Sequence, residues 1–143
     1  ELPEAEELDV SSLRPGREVR VLVAEDNKVN LVYAREALRS MGVRVRCAAD
    51  GAEALKALEE EPFDLVLMDL EMPEVDGATA ARTMRSANLP WGNSRIPVVA
   101  LTAHALEGDR ERVLDSHMDD YLAKPFQMDE LQALLSRLLG ETN

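Results

Sequence analysis

Glu25, Asp26, Asp69, Thr102 and Lys124 each stand just past the end of a short apolar run, in four separate parts of the chain. Acids, a hydroxyl and an ammonium gathered in one place could hold a cation and steady a phosphoryl group in transfer. The runs cover residues 19–24, 65–68, 96–101 and 121–123. Helix-like stretches between them are long enough to return each strand parallel to the last. As parallel strands, the runs bring all five groups to one edge of one sheet. Three carboxylates there repel one another, so the arrangement needs a cation or bound protons. Mg²⁺ suits it, since it takes oxygen ligands and usually keeps several waters, and Mn²⁺ could replace it. Taken singly, each acid also reads as a helix cap or a solvated loop end; Thr102 and Lys124 beside them make that reading hard to sustain. Asp69, ending what should be the central strand, is the best-placed nucleophile and would form an acyl phosphate. Thr102 can donate a hydrogen bond to a phosphoryl oxygen, and Lys124 can pair with another as a point charge. The chain has no Walker-type glycine loop and no DxDxT after a strand, so the phosphoryl group must come from elsewhere.

The elements that would position these groups are marked by caps and breakers. A first helix candidate at 28–41 stops at Gly42. A second opens with Asp50-Gly-Ala-Glu53, an N-cap with Glu at the third helical position, and ends before Pro62. Asp76 caps a third at 77–85, and Leu131, Leu134, Leu135, Leu138 and Leu139 make a helical stripe on a last one. Residues 43–48 supply the remaining strand. Five alternating strand and helix units predict a doubly wound α/β sheet with helices on both faces, for which strand order 2-1-3-4-5 is one solution. In that order the first and third strands adjoin at the switch point, with Glu25, Asp26 and Asp69 at their carboxyl ends.

Composition limits what the site can serve. A chain of 143 residues predicts one domain. Against 16 basic residues it carries 28 acidic ones, a net charge of -12, which opposes contact with a nucleic-acid backbone. No apolar run approaches the roughly 20 residues of a membrane span, and no signal peptide opens the sequence, so this domain should make no direct membrane contact. Cys47 is the single cysteine, which suits a reducing cytosol. Residues 1–18, rich in acids with Pro3, Pro15 and Gly16, read as an acidic linker or flexible tail, and 19–140 as the folded domain. A start at Glu1 rather than Met is expected of a piece of a longer protein.

Four stretches carry a resemblance: Val21-Leu-Val-Ala-Glu-Asp-Asn-Lys-Val-Asn30, Asp64-Leu-Val-Leu-Met-Asp-Leu-Glu-Met-Pro-Glu-Val-Asp-Gly77, Pro97-Val-Val-Ala-Leu-Thr-Ala-His104 and Tyr121-Leu-Ala-Lys-Pro-Phe126. Together, in this order over about 20–139, they resemble a response-regulator receiver domain of two-component signalling, most like the receiver of a hybrid sensor histidine kinase. The resemblance implies a flavodoxin-like fold. It implies that Asp69 takes a phosphoryl group from a phosphohistidine on a histidine kinase or histidine phosphotransfer domain, so that the domain catalyses its own phosphorylation and a slow dephosphorylation. Asp26 and Asp69 would ligate Mg²⁺ by side chain, the backbone carbonyl of Glu71 would be a third ligand, and Glu25 would act through water. Thr102 would shift towards the phosphoryl group and Tyr121 would swing inward behind it, remodelling the surface around 107–116 and the last strand. The Lys124-Pro125 bond is expected to be cis, and the setting cytoplasmic, including the cytoplasmic end of a membrane-bound sensor kinase.

Other readings compete at several points. A half-buried edge-strand aromatic also accounts for Tyr121. A pseudo-receiver that binds partners without phosphorylation, or a hydrolase turning over on Asp69, would use parts of the same set. The segment 107–116 has few large apolar anchors and should be among the least stable elements, fit for a switch or simply exposed. On the first helix Val29, Leu31, Val32, Tyr33, Ala34, Ala37, Leu38 and Met41 cover more than one face, for which core packing is favoured over a docking surface. His104 and His117 lack a paired metal spacing and read as surface residues. Met68 and Met72 read as core filler, Cys47 as a buried small hydrophobe and Trp91 as part of a loop. Glu71 adds an acid two residues past Asp69, where it could repel the phosphoryl group or orient a hydrolytic water.

Overall fold

The computed structural model describes residues 18–72, 75–103, 111, 113 and 117–139. Expectations for 1–17, for His104 and for most of 107–116 lie outside the described residues. Five strands, β1 (Arg20–Ala24), β2 (Arg44–Ala48), β3 (Leu65–Asp69), β4 (Val98–Thr102) and β5 (Asp120–Ala123), form one parallel sheet in the order 2-1-3-4-5. Helices α1 (Lys28–Ser40), α2 (Gly51–Glu60), α3 (Gly77–Ser86) and α4 (Met128–Leu139) are described, with a 3-10 stretch at Pro90–Arg95.

Burial explains this order. Every residue of β3 and β4 is buried, as an unbroken apolar run requires when helices cover both faces of a parallel sheet. Successive side chains then alternate between two cores. Val21, Val23, Leu65, Leu67, Val99 and Leu101 pack with Ala34 and Leu38 of α1 and with Leu131, Leu134, Leu135 and Leu139 of α4. Leu22, Ala24, Val66, Met68, Val98 and Ala100 pack with Ala54 and Leu58 of α2 and with Ala80, Ala81 and Met84 of α3. Met68 and Met72 are core filler, as expected.

The predicted caps are in place. Asp50 accepts a hydrogen bond from the Glu53 N–H at 2.8 Å, while the Glu53 carboxylate reaches back to the Ala49 N–H at 2.8 Å. Asp76 accepts from the Thr79 N–H at 2.8 Å, and α1 gives way to Gly42 at φ 89°, a left-handed position suited to glycine. Four expectations need correction. Asp69 and Thr102 are the last residues of their strands rather than the first beyond them, because pairing continues to Asp69↔Leu101 and Thr102↔Ala123. Ile96 and Pro97 precede β4, and Pro97 enters the ladder only by its carbonyl, which accepts from the Val66 N–H. Cys47 is half-buried, because β2 is an edge strand with little over its outer side. On α1, core packing takes Ala34, Ala37, Leu38 and Met41 but leaves Val29, Val32 and Tyr33 exposed, since the sheet covers one side of a helix only.

Asn93 is fully buried within the 3-10 stretch. Its side-chain NH₂ donates to the carbonyls of Leu58 and Glu61 at 2.8 and 2.7 Å, and its oxygen accepts from the Phe63 N–H at 3.2 Å. This one amide satisfies the end of α2 and the turn into β3. Asn93→Ala would strand those backbone groups in the interior and should lower unfolding stability by about 2–4 kcal/mol, read from a denaturant titration; a loss within error would mean that water replaces the amide.

Candidate functional site: an acidic cluster with one lysine

The parallel sheet brings the candidate residues to one edge. Glu25 and Asp26 follow β1, Asp69 ends β3, Thr102 ends β4 and Lys124 follows β5. One carboxylate oxygen from each of Glu25, Asp26 and Asp69 lies within 4.8 Å of the other two. Trans ligands on an octahedral Mg²⁺ are about 4.2 Å apart, so small side-chain adjustments suffice for an all-oxygen set of this kind. Glu25 and Asp69 are each 1% exposed, while Asp26 faces solvent. This is a donor set with an open side.

Lys124 bridges the two buried acids. Its Nζ donates to Asp69 Oδ1 at 3.2 Å and to Glu25 Oε1 at 3.3 Å. The Glu71 N–H also donates to Asp69 Oδ1, at 3.0 Å, and the Asn27 N–H to Glu25 Oε2, at 3.2 Å. Burial, reinforced by the neighbouring Glu25 carboxylate, pushes the Asp69 carboxyl up to about 7, against the opposing pull of the Glu71 N–H and the Lys124 ammonium. For Lys124, burial acts downward, but the charges and hydrogen bonds of Asp69 and Glu25 outweigh it and hold the ammonium above its ordinary value. One ammonium therefore serves two carboxylates, and Asp69 meets the shortfall by holding a proton near neutrality.

Thr102 is fully buried, and its carbonyl accepts from the Lys124 N–H at 2.8 Å. Tyr121 is half-buried on the edge strand β5, against the core that α2 and α3 share. Glu71 is exposed, and the Lys124-Pro125 peptide is cis. His117 is a surface residue, as expected, and Trp91 is 55% exposed.

Sequence reasoning missed two features. A Cβ on Gly77 would lie 2.1 Å from the Asp69 carbonyl oxygen and 2.8 Å from its carbonyl carbon. The first turn of α3 can therefore rest on the Asp69 backbone only if residue 77 has no side chain; the Gly after the Asp76 cap was the available signal. Gly77→Ala should force α3 away from Asp69, at about 1–3 kcal/mol of stability, with weakened metal binding; thermal melts with and without Mg²⁺ would measure both. The second feature is a groove of about 350 Å³ lined by Val29, Asn30, Tyr33, Pro125, Phe126 and Gln127 beside Glu25 and Lys124. Tyr33 donates to the Phe126 carbonyl at 2.9 Å and their rings lie 5.3 Å apart, so α1 is tied to the turn that carries Lys124.

This geometry has counterparts. The chain belongs to the response regulator receiver domain family, whose model matches residues 21–136. It is 38% identical over 138 residues to the sensor protein GacS of Pseudomonas syringae pv. syringae, a match covering 96% of this chain and 15% of GacS. The chain thus spans only a small part of that relative. The receiver domain of the sensor histidine kinase PA1611 from Pseudomonas aeruginosa, solved with a magnesium ion coordinated in its active-site cleft, superposes with a TM-score of 0.80 at 43% identity, covering 87% of this chain and all of that one. A co-crystal of the Saccharomyces cerevisiae histidine phosphotransfer protein Ypd1 with the receiver domain of its downstream response regulator Ssk1 matches with a TM-score of 0.75 at 28% identity, over 85% of this chain and 89% of that one. This chain is a receiver domain of two-component signalling. Among the described residues no helix is long and apolar enough to cross a membrane.

Proposed function

We propose that Asp69 accepts a phosphoryl group from a phosphohistidine in a Mg²⁺-dependent reaction, and that the domain passes the change on to its partner-binding surfaces. The observation carrying this reading is the buried Glu25–Lys124–Asp69 bridge, with the three carboxylates within 4.8 Å of one another. An Asp69 carboxylate oxygen attacks the phosphorus, a P–O bond forms as the P–N bond breaks, and the imidazole leaves with the electron pair. Asp26 and Asp69 by side chain and Glu71 by its backbone carbonyl would hold the metal, with Glu25 behind them through water; bound there, the cation would neutralise charge on the phosphoryl oxygens. Lys124 would move from the carboxylates to a phosphoryl oxygen as a point charge. Thr102 would donate to another and draw Tyr121 inward, which makes these two the switch.

The partner would be a histidine kinase or a histidine phosphotransfer domain. The apolar groove between α1 and Phe126 adjoins Lys124, and exposed Val29, Val32 and Tyr33 continue it; this is where a helix bearing the phosphohistidine would lie. Residues 19–140 would form the receiver and 1–18 a linker to the rest of a hybrid histidine kinase, on the cytoplasmic side. Incubation with Mg²⁺ and a small acyl phosphate donor, followed by intact mass, tests the reading. One phosphoryl adduct that hydrolyses slowly is expected. No adduct from any donor would favour a phosphorylation-independent module, and multiple turnover of an organic phosphate would favour a hydrolase.

A further inference from the structure

At the opposite edge of the sheet, where β4 and β5 begin, lies a shallow cavity of about 730 Å³ walled by Arg82, Arg85, Ser86, Arg95, His117 and Asp119. Its charge runs against the chain. The protein as a whole carries -12, yet among the described residues this wall sets three guanidiniums and an imidazole against one carboxylate. That carboxylate is already neutralised, since Asp119 Oδ2 accepts from Arg85 at 2.7 Å and from the Val98 N–H at 2.8 Å.

Arg85 is committed to building the cavity. Its guanidinium donates to the carbonyls of His117, Ser94 and Ile96 at 3.0, 3.0 and 2.7 Å as well as to Asp119. These bonds join α3, the 3-10 stretch and the turn before β5 into one rim, and fix His117 in a left-handed turn at φ 62°. Arg95 and His117 stand on that rim, exposed, with side chains that engage no partner among the described residues. Arg82, on the exposed side of α3, adds a further guanidinium, which donates to Thr79 Oγ1 at 3.3 Å. On this rim, tied together by the Arg85 bonds, Arg95 and His117 offer donors that no described residue uses, which makes it a preorganised anion site with the volume of a small-molecule pocket.

We infer that this cavity binds the phosphate or diphosphate group of a small soluble ligand, with Arg95 and His117 as its principal donors and Arg82 in support. Guanidiniums favour such groups because their planar fork presents paired N–H donors to two oxygens. With a net charge of -12 the chain as a whole disfavours anions, so one held here depends on these donors. The site is separate from Asp69 by the length of the strands, on the order of 15 Å, and it needs no phosphoryl transfer there.

The test is a titration of ¹⁵N-labelled protein with inorganic pyrophosphate, in the absence of divalent metal and at constant ionic strength. Saturating shifts are expected at the amides of His117 and Asp119 and at the Arg95 Nε, with a dissociation constant below about 1 mM. The double variant Arg95→Gln, His117→Gln alters only exposed side chains and should weaken binding by about tenfold or more, while phosphoryl uptake on Asp69 stays as in the wild type. Parallel titrations with inorganic phosphate and ATP separate a single phosphate, a diphosphate and a nucleotide as the preferred form. Shifts centred on Lys124, equal affinity in the double variant, or no saturation would each overturn the assignment.

Discussion

Asp69→Asn is expected to take up no phosphoryl group from any donor, yet to be the more stable protein when divalent metal is withheld. The first half follows from chemistry: the amide keeps the shape of the carboxylate but supplies no nucleophilic oxygen. The second follows from linkage. The Asp69 carboxyl is raised to about 7, by burial first and by Glu25 next, against about 3.9 in an unfolded chain. A group that binds its proton more tightly in the fold contributes its full stability below the unfolded value. That contribution is lost as pH rises towards about 7, and above it the fold bears the whole cost of an ionised, buried Asp69. Asparagine bears no such cost, and Lys124 keeps Glu25 as its partner. At pH 8 in chelator the variant should gain about 1–2 kcal/mol, some 3–6 °C in Tm, whereas at pH 4 the two proteins should melt nearly together. A variant that melts below the wild type at pH 8 would show that the Lys124 bridge outweighs the repulsion between the two acids.

The same residues show what a sequence reveals and what it hides. β3 and β4 were legible because a strand buried on both faces must be apolar throughout, and the α2 and α3 starts because Asp50 and Asp76 act on N–H groups three residues away. The acidic edge was legible too, since parallel topology alone sends the carboxyl ends of strands to one side. Contacts between distant segments left no such trace. Nothing near Asn93 announces that its amide will close α2 some thirty residues earlier, and Arg85 looks like any surface arginine of a helix until Ser94, Ile96, His117 and Asp119 converge on it. Cys47 was misjudged because the apolar pattern of β2 does not say how fully an edge strand is covered. The apolar excess on α1 was misjudged because periodicity counts faces without knowing how many the sheet can cover. What escaped was decided by neighbours far away in the chain, and the groove beside Lys124 is one result.

Mg²⁺ affinity should fall by close to tenfold for each pH unit below about 7, and level off above it. The metal requires ionised Asp69, and below that pH it must displace a proton which burial and Glu25 hold in place. Lys124 contributes nothing to this slope, because its raised ammonium stays charged across the window; it acts instead as a pH-independent competitor for Glu25 and Asp69. Two variants separate these contributions. Asp26→Asn removes the exposed oxygen of the cluster and should weaken Mg²⁺ by about tenfold or more, while keeping the pH slope, because Asp69 is untouched. Asp69→Asn should lose both the affinity and the slope. Calorimetric titrations at pH 8, 7 and 6 in buffers of differing ionisation enthalpy would also detect the proton that leaves as the metal binds. An affinity flat across this range would mean that the carboxylates are already ionised before the cation arrives, and that Lys124 alone is sufficient to hold them so.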